Sequence, residues 1–209
     1  MSEPIQPKPS RVEAFSDGVF AIIITLLVLE IKVPHLHDGL SSGEAWASLK
    51  DLSPKILSFI LSFMYIAIFW VNHHHFFMLV SHMNRGLMWL NNFVLLFLSF
   101  VPFPTAFIGD YPHNSVGLAL FGAVLLLAAS LFTIMWHYAV DKRLVHKNIP
   151  KDMLELGKKR GLLGPICFAL SIVLAFVAPV LAWILFILVP IYYFLPLKWQ
   201  LETLMSKET

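Results

Sequence analysis

The sequence predicts an all-α integral membrane protein with six transmembrane helices. Of its 209 residues, 58% are hydrophobic and only 13% are charged, whereas soluble domains carry about 25% charged residues. A transmembrane helix needs roughly 20 mostly apolar residues. Five long stretches contain no Asp, Glu, Lys or Arg: 18–29, 56–84, 86–109, 111–140 and 161–197. Charge that is segregated on this scale indicates a polytopic membrane protein rather than a soluble enzyme.

The charge-free stretches divide into six spans. The first stretch is too short by itself, so its helix must take in residues near Ser16 and Asp17 or reach Glu30. The last stretch is long enough for two helices, and Pro179 is the natural break between them because proline interrupts a helix. The predicted spans are 12–33, 55–79, 86–108, 114–139, 161–178 and 180–197.

The positions of lysine and arginine orient these spans. With a cytoplasmic N-terminus, three of the 15 basic residues (Lys32, Lys50 and Lys55) fall outside, and the other 12 fall inside. Cytoplasmic loops carry the excess of basic residues in membrane proteins, so both termini are predicted to be cytoplasmic. The basic loop 142–160 is then expected to face anionic lipid, and no nucleic-acid partner is expected.

The remaining segments are short. Residues 1–10 are predicted to be a disordered cytoplasmic N-terminus, 11–198 one membrane domain, and 199–209 a cytoplasmic tail. Within the first outside loop, 42–49 predicts a short interfacial helix, and the proline-rich stretch 102–113 predicts a loop. Residues 1–100 and 101–209 show no internal repeat. A central pore would therefore require several copies of the chain.

The first span has two different faces. At 100° per residue, Arg11, Ile22 and Leu29 lie within about 20° of one another, and Thr25 and Leu26 flank them. Ser16 and Asp17 point more than about 100° away from this stripe. Periodicity alone favours ordinary lipid or helix contact along the stripe, because membrane helices commonly have Ile and Leu at this spacing. The polar face offers a hydroxyl and a carboxylate, which in a membrane face protein or water.

The second span supplies a matching polar face. Trp70, His73 and His74 share one side of the helix, and with Asn91 or Asn92 of the third span they could receive Ser16 and Asp17. An interhelical hydrogen-bond network is favoured over a pH sensor. The three consecutive histidines are 100° apart and cannot converge on one metal ion. The sequence contains no catalytic motif, so neither an enzyme nor a cofactor is predicted.

The stretch from Arg11 through Phe15-Ser16-Asp17 to Thr25 resembles the first helix of the transmembrane protein 175 family, whose signature is Phe-Ser-Asp. The pattern Trp70-x-x-His73-His74 is also similar to that family. The resemblance implies a potassium-permeable channel that needs no cofactor. A chain with one six-helix repeat is then expected to form a homotetramer in a prokaryotic plasma membrane, with the first helix of each subunit lining a central pore.

The resemblance also implies roles for individual residues. The expected pore constriction and selectivity residues are Ile22, Thr25, Leu26 and Leu29. The expected structural polar network consists of Arg11, Phe15, Ser16, Asp17, Trp70, His73, His74 and Asn91. Two other classes remain open at this stage. A proton-coupled or other secondary transporter could use Asp17, Glu30 and the histidines as a relay, and an assembly protein would not conduct at all.

Overall fold

A computed structural model describes residues 8–34 and 41–194. In these ranges the chain is all-helical apart from its connections and one isolated bridge between Val80 and Val145. A 3₁₀ turn, Leu27–Glu30, continues the first helix. The α-helices are α1 (Pro9–Leu26), α2 (Ser42–Asp51), α3 (Ser53–Leu79), α4 (Arg85–Ser99), α5 (Pro102–Asp110), α6 (Ser115–Asp141), α7 (Lys151–Val177) and α8 (Pro179–Phe194).

Five helical segments in the described ranges are long and apolar enough to cross a membrane. They are Pro9–Glu30, Ser53–Leu79, Arg85–Asp110, Ser115–Asp141 and Lys151–Val177. The predicted all-α membrane class is therefore confirmed. Helix α8 follows the predicted break, since only Ala178 separates it from α7. It has 16 apolar residues, and the end of the predicted sixth span, at 197, lies outside the described residues, so the sixth crossing stays a prediction.

Three predicted boundaries were wrong. Helix α7 begins at Lys151, ten residues before the predicted span. The span was predicted from the apolar stretch alone, and hydropathy does not detect the charged first turns of this helix. Residues 102–110 form helix α5 rather than a loop, since proline is tolerated in the first turn of a helix. Helix α1 begins at Pro9, so residues 9 and 10 are helical. Residues 1–7 and 199–209 lie outside the described part.

The helices pack around α3 and α6. Helix α1 lies against α3 and α4, while α6 contacts α4, α5 and α7. Helix α8 runs back along α7, because the Arg160 guanidinium of α7 donates to the Tyr193 carbonyl of α8 at 3.2 Å. Phe20 and Ile23 of α1, and Leu27 of the 3₁₀ turn that follows it, enter the shared apolar core. One side of α1 is thus fixed to the body of the protomer.

Two prolines inside helices have partners for the carbonyls that they free. Pro190 cannot donate to the Phe186 carbonyl one turn earlier, and the Tyr65 hydroxyl of α3 donates to that oxygen at 2.8 Å. Pro165 similarly frees the Gly161 carbonyl, which accepts from the Thr133 hydroxyl of α6 at 2.8 Å. Neighbouring hydroxyls are a common means of satisfying such groups inside a membrane. These bonds fix α8 to α3 and α7 to α6.

The helix predicted over 42–49 is present as α2. Its N-cap Ser41 accepts from the Glu44 amide, and the Glu44 carboxylate accepts from the Ser41 backbone amide at 2.9 Å. These two bonds form a capping box that starts the helix. The bond from the Ser41 amide, and then the bond from its hydroxyl, lower the pKa of the Glu44 carboxyl. Trp46 is exposed on this helix.

Candidate functional site: the two faces of the first helix

The polar face of α1 and a polar face of α3 share one spacing. Glu13, Ser16 and Asp17 occupy positions i, i+3 and i+4 of α1, and Trp70, His73 and His74 have the same spacing on α3. Residues at this spacing lie on one side of a helix. The two helices are antiparallel, since Glu13 meets His74 and Asp17 meets Trp70. One turn forward on α1 therefore corresponds to one turn back on α3.

At the centre of this contact is a buried chain of hydrogen bonds through Asn91 of α4. The Ser16 hydroxyl donates to the Val12 carbonyl at 2.8 Å, and its oxygen accepts from the Asn91 side-chain nitrogen at 3.0 Å. The Asn91 side-chain oxygen lies 2.7 Å from His73 Nε2. Ser16, His73 and Asn91 are fully buried. These hydrogen bonds join α1, α3 and α4 in a buried position where water cannot replace a lost partner.

Around His73 the environment is aromatic. Its ring lies 4.6 Å from the Phe77 ring and 5.2 Å, edge-on, from the Phe20 ring. Because the Asn91 amide nitrogen is directed at Ser16, its oxygen faces His73, so the proton of this bond is on His73 Nε2. Within the described part of the chain, His73 Nδ1 has no hydrogen-bond partner. His73 therefore has a single polar contact, and that contact holds Asn91.

Two further pairs flank the buried chain and are partly open. The Trp70 indole donates to an Asp17 carboxylate oxygen at 2.9 Å. His74 Nδ1 lies 2.9 Å from a Glu13 carboxylate oxygen. The Trp70 and His74 rings stack at 6.1 Å with an interplanar angle of 20°. Together these side chains cover one side of the interface between α1 and α3. They are less buried than Ser16, His73 and Asn91.

The structure brings together six of the eight residues predicted for the polar network. Arg11 and Phe15 lie outside it: both are exposed, and they line a shallow hollow with Val12, Met88 and Asn92. Of the two asparagines that the sequence left open, Asn91 is the buried one and Asn92 is exposed. The prediction omitted Glu13. Glu13 lies four residues before Asp17, and His74 lies four residues after Trp70. This equal spacing of one helical turn is the signal that could have identified Glu13.

The opposite face of α1 is not covered by any of the described residues. Ile22 is 59% exposed and Leu29 66% exposed. Thr25, Leu26, Phe15 and Gly18 are exposed as well. The sequence predicted Ile22, Thr25, Leu26 and Leu29 as the constriction, and all four lie on this exposed face. Below, the name "open stripe" denotes these four residues.

Thr25 is the single hydroxyl of the open stripe. Its hydroxyl lies 3.0 Å from the Ala21 carbonyl and 2.9 Å from the Ile22 carbonyl, so its hydrogen is donated to its own helix. The threonine oxygen keeps lone pairs for another partner. On this exposed face, Thr25 can therefore present an oxygen ligand to a cation but not a donor to an anion.

The last turn of the helix changes the alignment of the open stripe. The α-helix ends at Leu26 and the chain continues as a 3₁₀ turn, Leu27–Glu30. A 3₁₀ helix has three residues per turn, so Leu29 lies almost directly above Leu26, about 40° from Ile22. At 100° per residue throughout, as the sequence predicts, Leu29 would lie on the other side of Ile22. Leu26 and Leu29 thus share one line of the stripe.

The described residues contain no group of three His, Cys, Asp or Glu side chains that could hold a metal ion. His73 and His74 are directed at different partners, Asn91 and Glu13. Consecutive residues on a helix diverge by 100°, which accounts for this separation. The chemistry of the site is therefore of two kinds, namely hydrogen bonds on one face of α1 and apolar side chains with one oxygen on the other.

The fold and this site define a multi-pass α-helical membrane protein with a fixed, half-uncovered first helix. Comparison with known proteins then identifies the family. Residues 11–102 match the family model described as endosomal/lysosomal potassium channel TMEM175. A potassium channel of Chamaesiphon minutus is 37% identical over 179 aligned residues, with 84% of this chain and 88% of that protein covered. The chain belongs to the TMEM175 family, which is a family of ion channels and not of enzymes.

Other relatives extend the comparison. A potassium channel of a Chryseobacterium species is 36% identical, with 90% of this chain and 93% of that protein covered. The human endosomal/lysosomal proton channel TMEM175 is 32% identical over 67% of this chain, but only 29% of its own length is matched. The crystal structure of the lysosomal potassium-selective channel TMEM175 homolog from Chamaesiphon minutus superposes with a TM-score of 0.78 at 35% identity, covering 88% and 95% of the chains.

Proposed function

We propose that this chain forms a potassium-permeable cation channel in which α1 of four subunits surrounds a central pore. The observation that carries the proposal is the open stripe of α1. The helix is fixed to α3 and α4 by buried polar side chains, yet the described part of the chain leaves its other face uncovered. Bacterial relatives that match nearly the whole chain are named potassium channels, and the Chamaesiphon minutus structure shares the fold.

The composition of the open stripe suggests a mechanism. Four copies of Ile22, Leu26 and Leu29 around an axis would form an apolar neck. Such a neck closes by dewetting, because a cation in it loses water without gaining oxygen ligands. Thr25 would supply four acceptor oxygens between the apolar rings, to which a partly dehydrated potassium ion could bind. The rings then restrict flux, and the threonines favour one cation over another.

The proposal includes a topology and a location. Both termini are placed in the cytoplasm, by the distribution of lysine and arginine. In a prokaryotic cell, the membrane of a single-repeat member is the plasma membrane. The chain lacks an internal repeat, so the four-fold arrangement must come from four copies.

The test is potassium and sodium flux in proteoliposomes that contain the full chain. Ile22→Ala and Leu29→Ala widen the proposed neck and are each expected to raise potassium flux by about tenfold, equivalent to lowering the barrier by about 1.4 kcal/mol. Ile166→Ala and Leu170→Ala on α7 are matched controls, because these side chains are also exposed. The controls are expected to conduct like wild type. Equal flux in all five proteins would reject the apolar neck.

A secondary transporter is the competing function, because Glu13 and His74 form a partly exposed titratable pair beside the pore helix. The two functions differ in coupling. A channel passes potassium down its gradient with no proton movement in exchange, whereas a proton-coupled transporter stops when the proton gradient opposes it. Potassium flux that is unchanged by an imposed pH gradient supports the channel. A fixed ratio of protons to potassium ions would support the transporter.

A further inference from the structure

The connection between α3 and α4 and the connection between α6 and α7 are joined at one end of the helix bundle. Val80 and Val145 form an antiparallel bridge between them. The Leu144 carbonyl accepts from the backbone amides of Ser81 and His82, at 2.8 and 3.2 Å. Because these bonds join backbone groups, they hold the two connections at a fixed separation. The sequence predicts that this end of the bundle is cytoplasmic.

The first turn of α4 also lies against the last turn of α6. The Asn84 side-chain nitrogen donates to the Tyr138 hydroxyl at 3.2 Å. Gly86 lies so close to the Tyr138 ring that a β-carbon at this position would collide with it. Arg85 stands between these two contacts, and Lys142 follows Tyr138 by about one helical turn. Basic residues from two distant parts of the sequence are thus brought to one small area.

This area carries an excess of positive charge. Four Lys and Arg residues occupy 80–85 and 142–147, and these ranges contain no Asp or Glu. Below, the name "basic patch" denotes these four residues, Arg85, Lys142, Arg143 and Lys147. All four are exposed, and none forms an ion pair with a described residue. The neighbouring Asp141 lies 3.5 Å from Lys158 instead. The described residues therefore leave the charge of the basic patch uncompensated.

Arg143 has a backbone conformation that favours glycine. Its φ is 57°, and the Leu144 amide that follows it donates to the Ala139 carbonyl at 2.8 Å. This is the bond of a Schellman motif, a helix end that usually has glycine at the position of Arg143. A β-carbon is strained there. The dipole of α6 does not require this arginine, because Lys142 already places a positive charge at the same helix end. The exposed guanidinium therefore points to a partner outside the protomer.

The basic patch lies at the level of lipid headgroups. Helix α3 ends at Leu79, α4 begins at Arg85 and α6 ends at Asp141, and each belongs to a segment that is long and apolar enough to cross a membrane. Trp89 is 53% exposed and lies one turn, about 6 Å, after Arg85 on the same side of α4. Tryptophan is enriched at the membrane interface. The charges therefore stand at the membrane surface, with apolar side chains beneath them.

We propose that the basic patch binds the headgroup of an anionic phospholipid. Arg85 and Arg143 donate to its phosphate oxygens from the two joined connections, since a guanidinium can donate two parallel hydrogen bonds to a phosphate. Lys142 and Lys147 add positive charge, which attracts an anionic leaflet. A zwitterionic headgroup carries a cation of its own, so the basic patch selects against it. The bound lipid also supports the start of α4, the helix that carries Asn91. The proposal depends on membrane insertion and not on ion permeation.

The test measures the preference of the full chain for anionic lipid. The protein is purified in detergent and titrated with palmitoyl-oleoyl phosphatidylglycerol or with palmitoyl-oleoyl phosphatidylcholine, which has the same acyl chains and no net charge. Bound lipid per protomer is measured by native mass spectrometry. The wild type is expected to prefer phosphatidylglycerol. Arg85→Gln and Arg143→Gly are each expected to weaken binding of this lipid about fivefold, the effect of one basic residue beside an anionic surface.

Arg143→Gly also separates a binding role from a structural one. Glycine relieves the backbone strain at this position, so the melting temperature of the variant should equal or exceed that of the wild type while its lipid preference falls. A lowered melting temperature with wild-type lipid binding would mean that Arg143 serves only the end of α6, and it would overturn the proposal.

The controls separate the possible occupants. Lys159→Gln is the matched control, because Lys159 is exposed on α7 outside the basic patch, and it should bind lipid like the wild type. An equal loss in this control, or wild-type preference in both patch variants, overturns the proposal. Inorganic phosphate is then added as a competitor at fixed lipid concentration. Retention of the lipid supports the membrane source, whereas its displacement would reassign the patch to a soluble anion. None of these measurements uses ion flux, so a failed channel proposal leaves the result intact.

Discussion

The two faces of α1 differ in whether their side chains have partners within the protomer. On the face toward α3 and α4, every polar side chain from Glu13 to Asp17 has a named partner in the same protomer. On the other face, Ile22, Leu26 and Leu29 are exposed, and no residue in the described ranges 8–34 and 41–194 covers them. Because α1 is fixed on one side, the exposed side chains on its other side point in a defined direction. Residues of the first face should therefore control assembly, and residues of the second face should control permeation.

Breaking the buried centre of the polar face should have the largest effect. Asn91→Leu leaves the buried His73 without its hydrogen-bond partner, while Ser16 keeps its bond to the Val12 carbonyl. A buried polar group left unpaired costs about 1–3 kcal/mol. We expect a strongly lowered melting temperature and loss of assembled protein, measured by size-exclusion chromatography after heating. Asn92→Leu is the matched control, because Asn92 is exposed on the same helix. Equal melting of the two variants would contradict the importance of the buried chain.

A smaller effect is expected at the partly exposed Trp70–Asp17 pair. Trp70→Phe removes the donor to Asp17 and should destabilise the assembly by about 1 kcal/mol or more, since hydrogen bonds to charged groups contribute about 1.5–3 kcal/mol when they are well formed. Asp17→Asn keeps the acceptor oxygen and should cost less. Both variants should alter yield and melting more than ion preference in liposomes. Normal yield with lost potassium preference would instead place Asp17 in the ion pathway.

On the open stripe, a substitution should change ion permeation more than it changes stability. Thr25→Ala removes the acceptor oxygen without burying or exposing a core residue, so its melting temperature should stay close to wild type, within about 0.5 kcal/mol. Its potassium-to-sodium flux ratio should fall. Thr25→Ser keeps the oxygen and is expected to retain the ratio, measured in the same proteoliposomes. If alanine and serine behave alike, the hydroxyl oxygen takes no part in selection.

The smallest effect is expected for Glu13→Gln. The Glu13–His74 pair is partly exposed, and such pairs contribute about 0–1 kcal/mol, less at high salt. The change in melting should therefore be slight and should shrink as potassium chloride is raised. His74→Gln should match it, and the double variant should add nothing further. An effect as large as that of Asn91→Leu would mean that the open pair, and not the buried chain, holds α1.

Several features were predictable from the sequence because they depend on local chemistry. Long apolar stretches require a membrane, Pro179 separates two helices, and the spacing of Ser16, Asp17, Trp70 and His73 places each set on one face. The helical nature of 102–110 was not predictable by the same rule, since prolines at a helix start and prolines in a loop look alike. Hydropathy likewise missed the first ten residues of α7, which are helical but charged.

Other features depended on contacts between distant segments. The sequence by itself determined that α1 has a polar and an apolar face, because the order of its side chains fixes their directions. Only the tertiary structure decided that Asn91 rather than Asn92 joins the buried chain, that Glu13 pairs with His74, and that Arg11 and Phe15 stay outside. It also turned Leu29 into line with Leu26 through the 3₁₀ turn. The register of packed helices sets these choices, and register is not encoded in any single helix.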